Sequence, residues 1–482
     1  MEKCSHILAK LMLGLFALLL GAAVFFGAVI NWQHKSYPLA FLIAACLLLV
    51  LLWLFRRHPL DPLLERIGVW RLALLLAALS LAVNVLWAVT HYVEPDGDYV
   101  TFWVTACAQA QGAPQELHVY LSLFPHIMGY ASFLGLFLRL FGCYNAVAVG
   151  VNIGLTVISC LLIFVLCLRW SGLRAAFLGS LLWALCPSAV MFNTMVLSEP
   201  FYTCLLLGYL VLVSGLEKRA AEEKAPLWRW ILGGALAGVL LRAVNAARPI
   251  APVFLIATII WILLLRGKDL RERRSWLRWG LFFLLMLAVY LPLGTLWNAY
   301  LTRRLGEEPP LIPGYNMCVG FNTKTGGAYS EDDMEQLFIY RHETGSARQA
   351  QEIMRQKAME RIRSGQINFP RHFATKLRIF LGCDEGGAYY TSFYLKDFNY
   401  LLTSLLSNVF YYLVVMMALL CAWKLGRLKE HRLILIVPLY VIGLTLAQML
   451  VEVSGRYHYS IVPMLIILAA CSRGNNKGGE AA

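Results

Sequence analysis

Glu94, Asp96 and Asp98 crowd one short loop in the stretch HYVEPDGDYVTFWVTACAQAQG at 91–112, with Glu116 just beyond. No Lys or Arg lies between Leu72 and Leu138 to neutralise them. Gly97 allows a sharp backbone turn between the two aspartates, which could aim both carboxylates at one hydroxyl, one amine or one metal ion. A carboxylate so placed can take the proton of an attacking hydroxyl or hold a hard divalent cation. The plainer reading is a surface turn, where Asp and Gly are favoured residues.

Further ionisable groups punctuate otherwise apolar sequence. Glu199 lies in NTMVLSEP, Arg248 in AARPI, and Glu452, Arg456 and His458 in VEVSGRYHYS; His126 follows Pro125, and Lys376 and Arg378 lie in RHFATKLRIFL. Ionisable groups at the edge of a membrane core are costly and tend to be functional. Arginines there suit a phosphate, and Glu199 suits a substrate or a metal shared with Asp96 and Asp98. Each also has a structural reading. Ser198 or Glu199 could cap the helix that starts at Pro200, and Arg248 could simply end a helix. Glu452, Arg456 and His458 could pair with one another, Lys376 and Arg378 could snorkel, and His126 could be a hydrogen-bonded interfacial histidine.

The surroundings decide where such residues act. The chain has 482 residues, 59% hydrophobic and 15% charged, with mean hydropathy +0.64. This excludes a soluble enzyme and predicts an all-α polytopic membrane protein. The net charge of +14 sits in short clusters between apolar runs, which argues for membrane orientation and against nucleic acid as a partner. The 12 cysteines are scattered without a CxxC pair, so no metal or redox framework is legible. Cys107, Cys143, Cys318 and Cys383 fall on the outer side in the topology below, where they could pair, although free buried thiols are the preferred reading.

Apolar runs at about 11–30, 38–55, 72–90, 146–168, 175–192, 200–216, 230–246, 250–265, 279–297, 401–423, 433–451 and 459–471 give about twelve transmembrane helices. The first reads as a retained span, since no convincing cleavage site follows it. The connector holding Arg56, Arg57, Arg66 and Arg71 belongs inside, which delivers the acidic loop outside. The segment at 119–142 is ambiguous. Read as an interfacial helix, it keeps the later basic connectors inside; read as a crossing, it inverts the positive-inside rule. Both termini then lie in the cytoplasm. The expected organisation is three N-terminal transmembrane helices (1–90), an external acidic loop with interfacial helices (91–145), six transmembrane helices (146–297), a small mixed external domain (298–400), and three transmembrane helices with a cytoplasmic tail (401–482).

Within the acidic loop, Val100, Trp103, Val104 and Cys107 recur at helical spacing opposite Thr101, Thr105 and Gln109, predicting a helix flat on the membrane. In the long polar segment, PGYNMCVGFNTKTGGAY reads as turns or a short hairpin. Residues 330–364 read as one helix with Ser330 and Asp333 at capping spacing and Gly365 as its stop. RHFATKLRIFL at 371–381 reads as amphipathic, pressed on the outer leaflet.

An acidic external loop with flat helices, then FPHIMGYxxFLxLFxRLFG, NTMVLSEPFY and AARP, then an outer domain between late spans, resembles the GT-C superfamily of membrane glycosyltransferases. The tail VEVSGRYHYSIVPMLIILAA and the loop GYNMCVGFNTKTGGAYSEDD look like bacterial family 39-like members, relatives of protein O-mannosyltransferases and the aminoarabinose transferase. The resemblance covers most of residues 90–470. It implies a donor sugar on a polyprenyl phosphate, transferred at the external face of the plasma membrane to a cell-envelope glycan, lipid or protein. It also implies an acid of the first external loop as base or metal ligand, here Asp96 or Asp98. The departure is that many relatives carry this acid after the first span, and here it follows the third.

These expectations give catalytic roles to Asp96 and Asp98 and substrate-binding roles to Glu199, Arg248, Arg456, His458, Lys376 and His126. Magnesium or manganese would be held by Asp96, Asp98 and Glu199. The rival from another class is a transporter or flippase of lipid-linked saccharides, which also needs an outward polar cavity. Such a protein is expected to break helices at the membrane midplane and often to repeat its halves, and the sequence displays neither. A scaffold or sensor that binds a partner through 298–400 would leave Asp96 and Asp98 without a role.

Overall fold

In the computed structural model, residues 2–30, 36–57, 60–94, 97–220, 226–265, 273–391, 397–427 and 433–471 are described. The described residues are helical throughout their regular structure, and nine helices are long and apolar enough to cross a membrane. Such runs keep every backbone polar group paired inside the segment, which a hydrocarbon environment requires. The protein is an all-α, multi-pass membrane protein.

Each expected span has a helical counterpart. The long ones include Val69–Thr90, Asn145–Ser171, Glu199–Ala220, Trp228–Ala247, Arg273–Leu305 and Asp397–Leu425. The expected span at 175–192 is interrupted, forming Leu173–Ala184 and then Pro187–Phe192. Pro187 has no N–H to continue the first helix, and it starts the second one instead.

At one end of the bundle, described connector residues meet. Arg174 pairs with Asp61 at 3.7 Å, and the Glu217 carboxylate accepts from the Leu433 backbone N–H at 3.2 Å. At the other end the polar segments meet. The helix Asp98–Gln111 packs along Ile127–Phe141, which also touches Trp228–Ala247. Gly97, at φ 55°, makes the turn that opens the first of these. Against the protein this helix buries Tyr99, Phe102, Thr105, Ala106 and Ala108, and it leaves the apolar stripe of Val100, Trp103, Val104 and Cys107 half-covered. Thr105 tolerates burial because its hydroxyl donates to the Thr101 carbonyl at 2.6 Å.

The polar insert between Leu305 and Asp397 is helical among its described residues. Gly314–Gly320 forms a short helix in the first half of the stretch expected as turns or a hairpin, whose second half at 321–328 does run through turns, and Glu331–Thr344 and Ala347–Arg363 replace one continuous helix. The break falls at Gly345, in the left-handed region at φ 65°, followed by Ser346, whose side chain caps Gln349. The cap of Asp333 by Ser330 forms as the spacing predicts, at 3.3 Å. Asp333 also takes a paired contact from Arg361, at 2.6 and 3.0 Å, and this joins the two helices. Phe369–Leu381 is amphipathic, and its buried face of His372, Lys376, Leu377, Phe380 and Leu381 is turned into the protein.

Candidate functional site

Asp98 starts its helix beside Arg456, and the two form a direct ion pair through Oδ2 and Nη2. Arg456 lies in the one-turn helix Gly455–His458, between the helices Ile436–Leu450 and Ile461–Cys471. Its guanidinium sits 5.3 Å from the Tyr390 ring centre and 5.6 Å from that of Tyr457. Such aromatic walls suit a planar, weakly hydrated cation.

The second arginine arrives from a different element. Arg248 ends the helix Trp228–Ala247 in extended backbone, φ −153° and ψ 127°, as a residue before proline must. It stacks 4.2 Å from the Tyr457 ring centre and stands 3.8 Å from the Glu199 carboxylate. Glu199 is 1% exposed, and neither of its oxygens nor the Ser198 hydroxyl accepts or donates a hydrogen bond among the described residues. The expected helix cap is therefore not made. The loop carrying Glu199 is fixed from behind by amides. Asn193 donates to Asn84 at 2.6 Å and accepts from Thr156 at 2.8 Å. Asn152 holds the Met195 carbonyl at 2.9 Å and accepts from Tyr130 at 2.7 Å.

Asp98, Arg456, Arg248, Glu199, Glu452 and His126 form one electrostatic group. The Asp98 side chain is 45% exposed, toward a cavity. Enough protein surrounds it to disfavour its charge, but Arg456 and then Arg248 outweigh that and hold its carboxyl below the ordinary range. Burial and the adjacent Arg248 push the His126 imidazole down to about 3, so it stands neutral. Burial raises Glu452 against the pull of Arg456 and Arg248. Its carboxylate accepts from Asn316 at 3.3 Å and from the Tyr457 hydroxyl at 3.4 Å.

A cavity of about 550 Å³ opens over this group, lined by Asp98, Arg456, Glu452, Tyr390, Tyr389 and Arg378 among others. Gly27 and Tyr37, from the first two spans, also line it, so these N-terminal helices build part of the wall.

Two expected ligands are placed elsewhere. Lys376 is fully buried, and its ammonium donates to the carbonyls of Gly320, Met449 and Val451 at 2.7–2.8 Å. That uses all three of its protons, and burial pushes it down to about 7. It neither snorkels nor reaches the cavity; it ties the polar insert to the extended segment before Arg456. His458 turns away from the cavity, toward the Phe380 carbonyl at 2.6 Å and Asp384 at 3.2 Å. Asp96 lies outside the described residues. Among the described residues no three His, Cys, Asp or Glu side chains converge as a metal site, and Asp98 and Glu199 each face an arginine.

Sequence reading missed Tyr390, Tyr457, Asp384 and Glu385. The run CDEGGAYYT carried a usable signal, two acids and two glycines followed by paired tyrosines after an amphipathic helix and before an apolar span.

No family model matches the chain, and no curated protein does. Among solved structures, the archaeal oligosaccharyltransferase AglB from Archaeoglobus fulgidus, in complex with an inhibitory peptide and a dolichol-phosphate, is similar at 13% identity and TM-score 0.49. The match covers 85% of this chain and 50% of that one, so the chain spans about half the length of AglB. ArnT from Cupriavidus metallidurans bound to undecaprenyl phosphate is similar at 10% identity and TM-score 0.37, over 83% of this chain and 77% of that one.

Proposed function

We propose that this protein is a GT-C-type glycosyltransferase that moves a sugar from a polyprenyl phosphate to an acceptor hydroxyl or amine at the external face of a plasma membrane. The observation that carries the reading is the cavity in which the Asp98 carboxylate meets Arg456, with Arg248 and Glu199 behind them. Asp98 takes the proton of the acceptor as its oxygen or nitrogen bonds to the anomeric carbon. The bond from that carbon to the phosphate oxygen breaks, and its electron pair leaves with the polyprenyl phosphate. Arg456 and Arg248 supply positive charge where the phosphate gains negative charge. Incoming phosphate competes for Arg456 and loosens its hold on Asp98, so the base is released when the donor is in place. The prenyl chain lies between apolar helices, and the acceptor is a cell-envelope glycan, lipid or protein.

The arginines fill the cationic role without a metal. A magnesium or manganese ion on Asp96, Asp98 and Glu199 is the alternative source of that charge. The purified protein, given a panel of polyprenyl-phosphate sugars and acceptors, is expected to release lipid phosphate, and to do so equally with and without EDTA. Loss of release in EDTA would transfer the role to a metal. No release from any donor, with uptake of lipid-linked saccharide by proteoliposomes, would make the protein a transporter.

The sidedness follows from the basic connectors. Accessibility tags at residues 60 and 430 are expected to be cytoplasmic, and one at residue 340 external. A tag at 340 protected from outside reagents would put the cavity on the wrong side of the membrane for this reaction.

A further inference from the structure

We propose that His458 and Asp384 form a proton-carrying strut that sets the position of Arg456, which makes His458 a positioning residue and not a ligand. The functional half of this inference rests on the phosphate-binding reading of Arg456. The Nδ1 atom of His458 lies 2.6 Å from the Phe380 carbonyl, which can only accept, so Nδ1 carries a proton. The Nε2 atom lies 3.2 Å from Asp384 Oδ1. A carboxylate also only accepts, so that second bond requires one more proton, on Nε2 or on the carboxyl. The two side chains are 1% and 4% exposed, which leaves little water to replace a lost bond.

What the pair joins gives it a consequence. The turn at 381–384 is clamped by the helix Asp397–Leu425: Tyr411 donates to the Leu381 carbonyl, Tyr412 to that of Gly382, and Asn408 accepts from the Asp384 N–H, each at 2.9 Å. That turn leads into Gly386–Thr391, which carries the cavity residues Tyr389 and Tyr390. A Cβ on Gly386 would stand 3.5 Å from the Arg456 backbone, so the two walls touch. His458 fastens the Arg456 turn to this anchored wall from two residues away. The titratable groups facing the pair are Tyr411, whose ring centre is 5.5 Å from that of His458, and Cys186 and Cys383 beside Asp384. A phenol and thiols bring no charge near neutral pH. Glu385, next in the chain, is turned to Ser404 at 3.3 Å.

Asp384→Leu removes one end of the strut, and Asp384→Asn keeps it, because the Asn amide can donate to neutral Nε2 while Nδ1 still donates to the Phe380 carbonyl. Asp384→Leu is expected to raise KM for a polyprenyl-phosphate sugar about tenfold while kcat moves less, and to lower the thermal midpoint. Asp384→Asn should keep both close to the wild type. An unchanged KM in Asp384→Leu, or an Asp384→Asn variant as impaired as Asp384→Leu, overturns the proposal. If Asp384→Leu does not fold, Asp384→Ala takes its place in the comparison. A midpoint lowered in Asp384→Leu and kept in Asp384→Asn, combined with no sugar transfer and no stabilisation of the wild type by undecaprenyl phosphate, would keep the strut and overturn its link to phosphate binding.

Discussion

Asp98→Asn is expected to lower sugar transfer about 10³-fold with the amount of protein in the membrane unchanged, the size of effect a lost general base produces. The amide has nearly the same shape and can still accept from Arg456, so the helix start and the cavity wall survive while the proton acceptor is gone. The carboxyl is held below its ordinary range by Arg456 and Arg248, which outweigh the penalty from the surrounding protein. The sign of the pH dependence follows: the free enzyme keeps its base ionised as pH falls through the range in which an ordinary carboxyl protonates, so kcat/KM should show no acid limb there. An acid limb at ordinary carboxylate pH would place the base on another residue. Asp96→Asn belongs in the same experiment. Full activity in both single variants and in the double variant would remove the loop from the chemistry.

The parts of this fold that hydrophobicity and charge control are legible in the amino-acid sequence. Apolar runs long enough to cross mark the helices, and Lys and Arg mark their alternation, because lipid leaves the backbone few choices. That alternation brings Asp98, Glu199, Arg248 and Arg456 to one end of the bundle, where the structure has them meeting. Finer errors have local causes. The helix expected over 330–364 overlooks Gly345, since a single left-handed residue with a following serine cap interrupts a periodic pattern without changing composition. Lys376 looks like a ligand or a snorkelling cation because sequence records a charge and not the three carbonyls that hold it. His458 is expected in the cavity for the same reason, since its two acceptors come from residues about seventy-five positions away.

Arg456→Ala is expected to cost about 10³-fold in kcat/KM, because the variant loses a donor that acts on the departing phosphate and also leaves Asp98 without its counter-charge. The side chain is 12% exposed, and Nε and Nη1 have no protein acceptor among the described residues while Nη2 holds Asp98. Those two donors leave the guanidinium with hydrogen bonds still to give, which phosphate oxygens can accept and which a Lys ammonium would not reproduce. Arg456→Lys keeps a positive charge beside Asp98 but not the fork or the fit between Tyr390 and Tyr457, so it should recover only part of the loss, with more of the deficit in KM for the donor than in kcat. The Asp98→Asn/Arg456→Ala double variant should fall well short of the product of the two single losses, because residues that face one another in one site do not add. The measurement is kcat and KM for a polyprenyl-phosphate sugar in the wild type, Asp98→Asn, Arg456→Ala, Arg456→Lys and the double variant. Strict additivity would mean that the two side chains act independently, and an Arg456→Lys variant as active as the wild type would leave the phosphate to Arg248 alone.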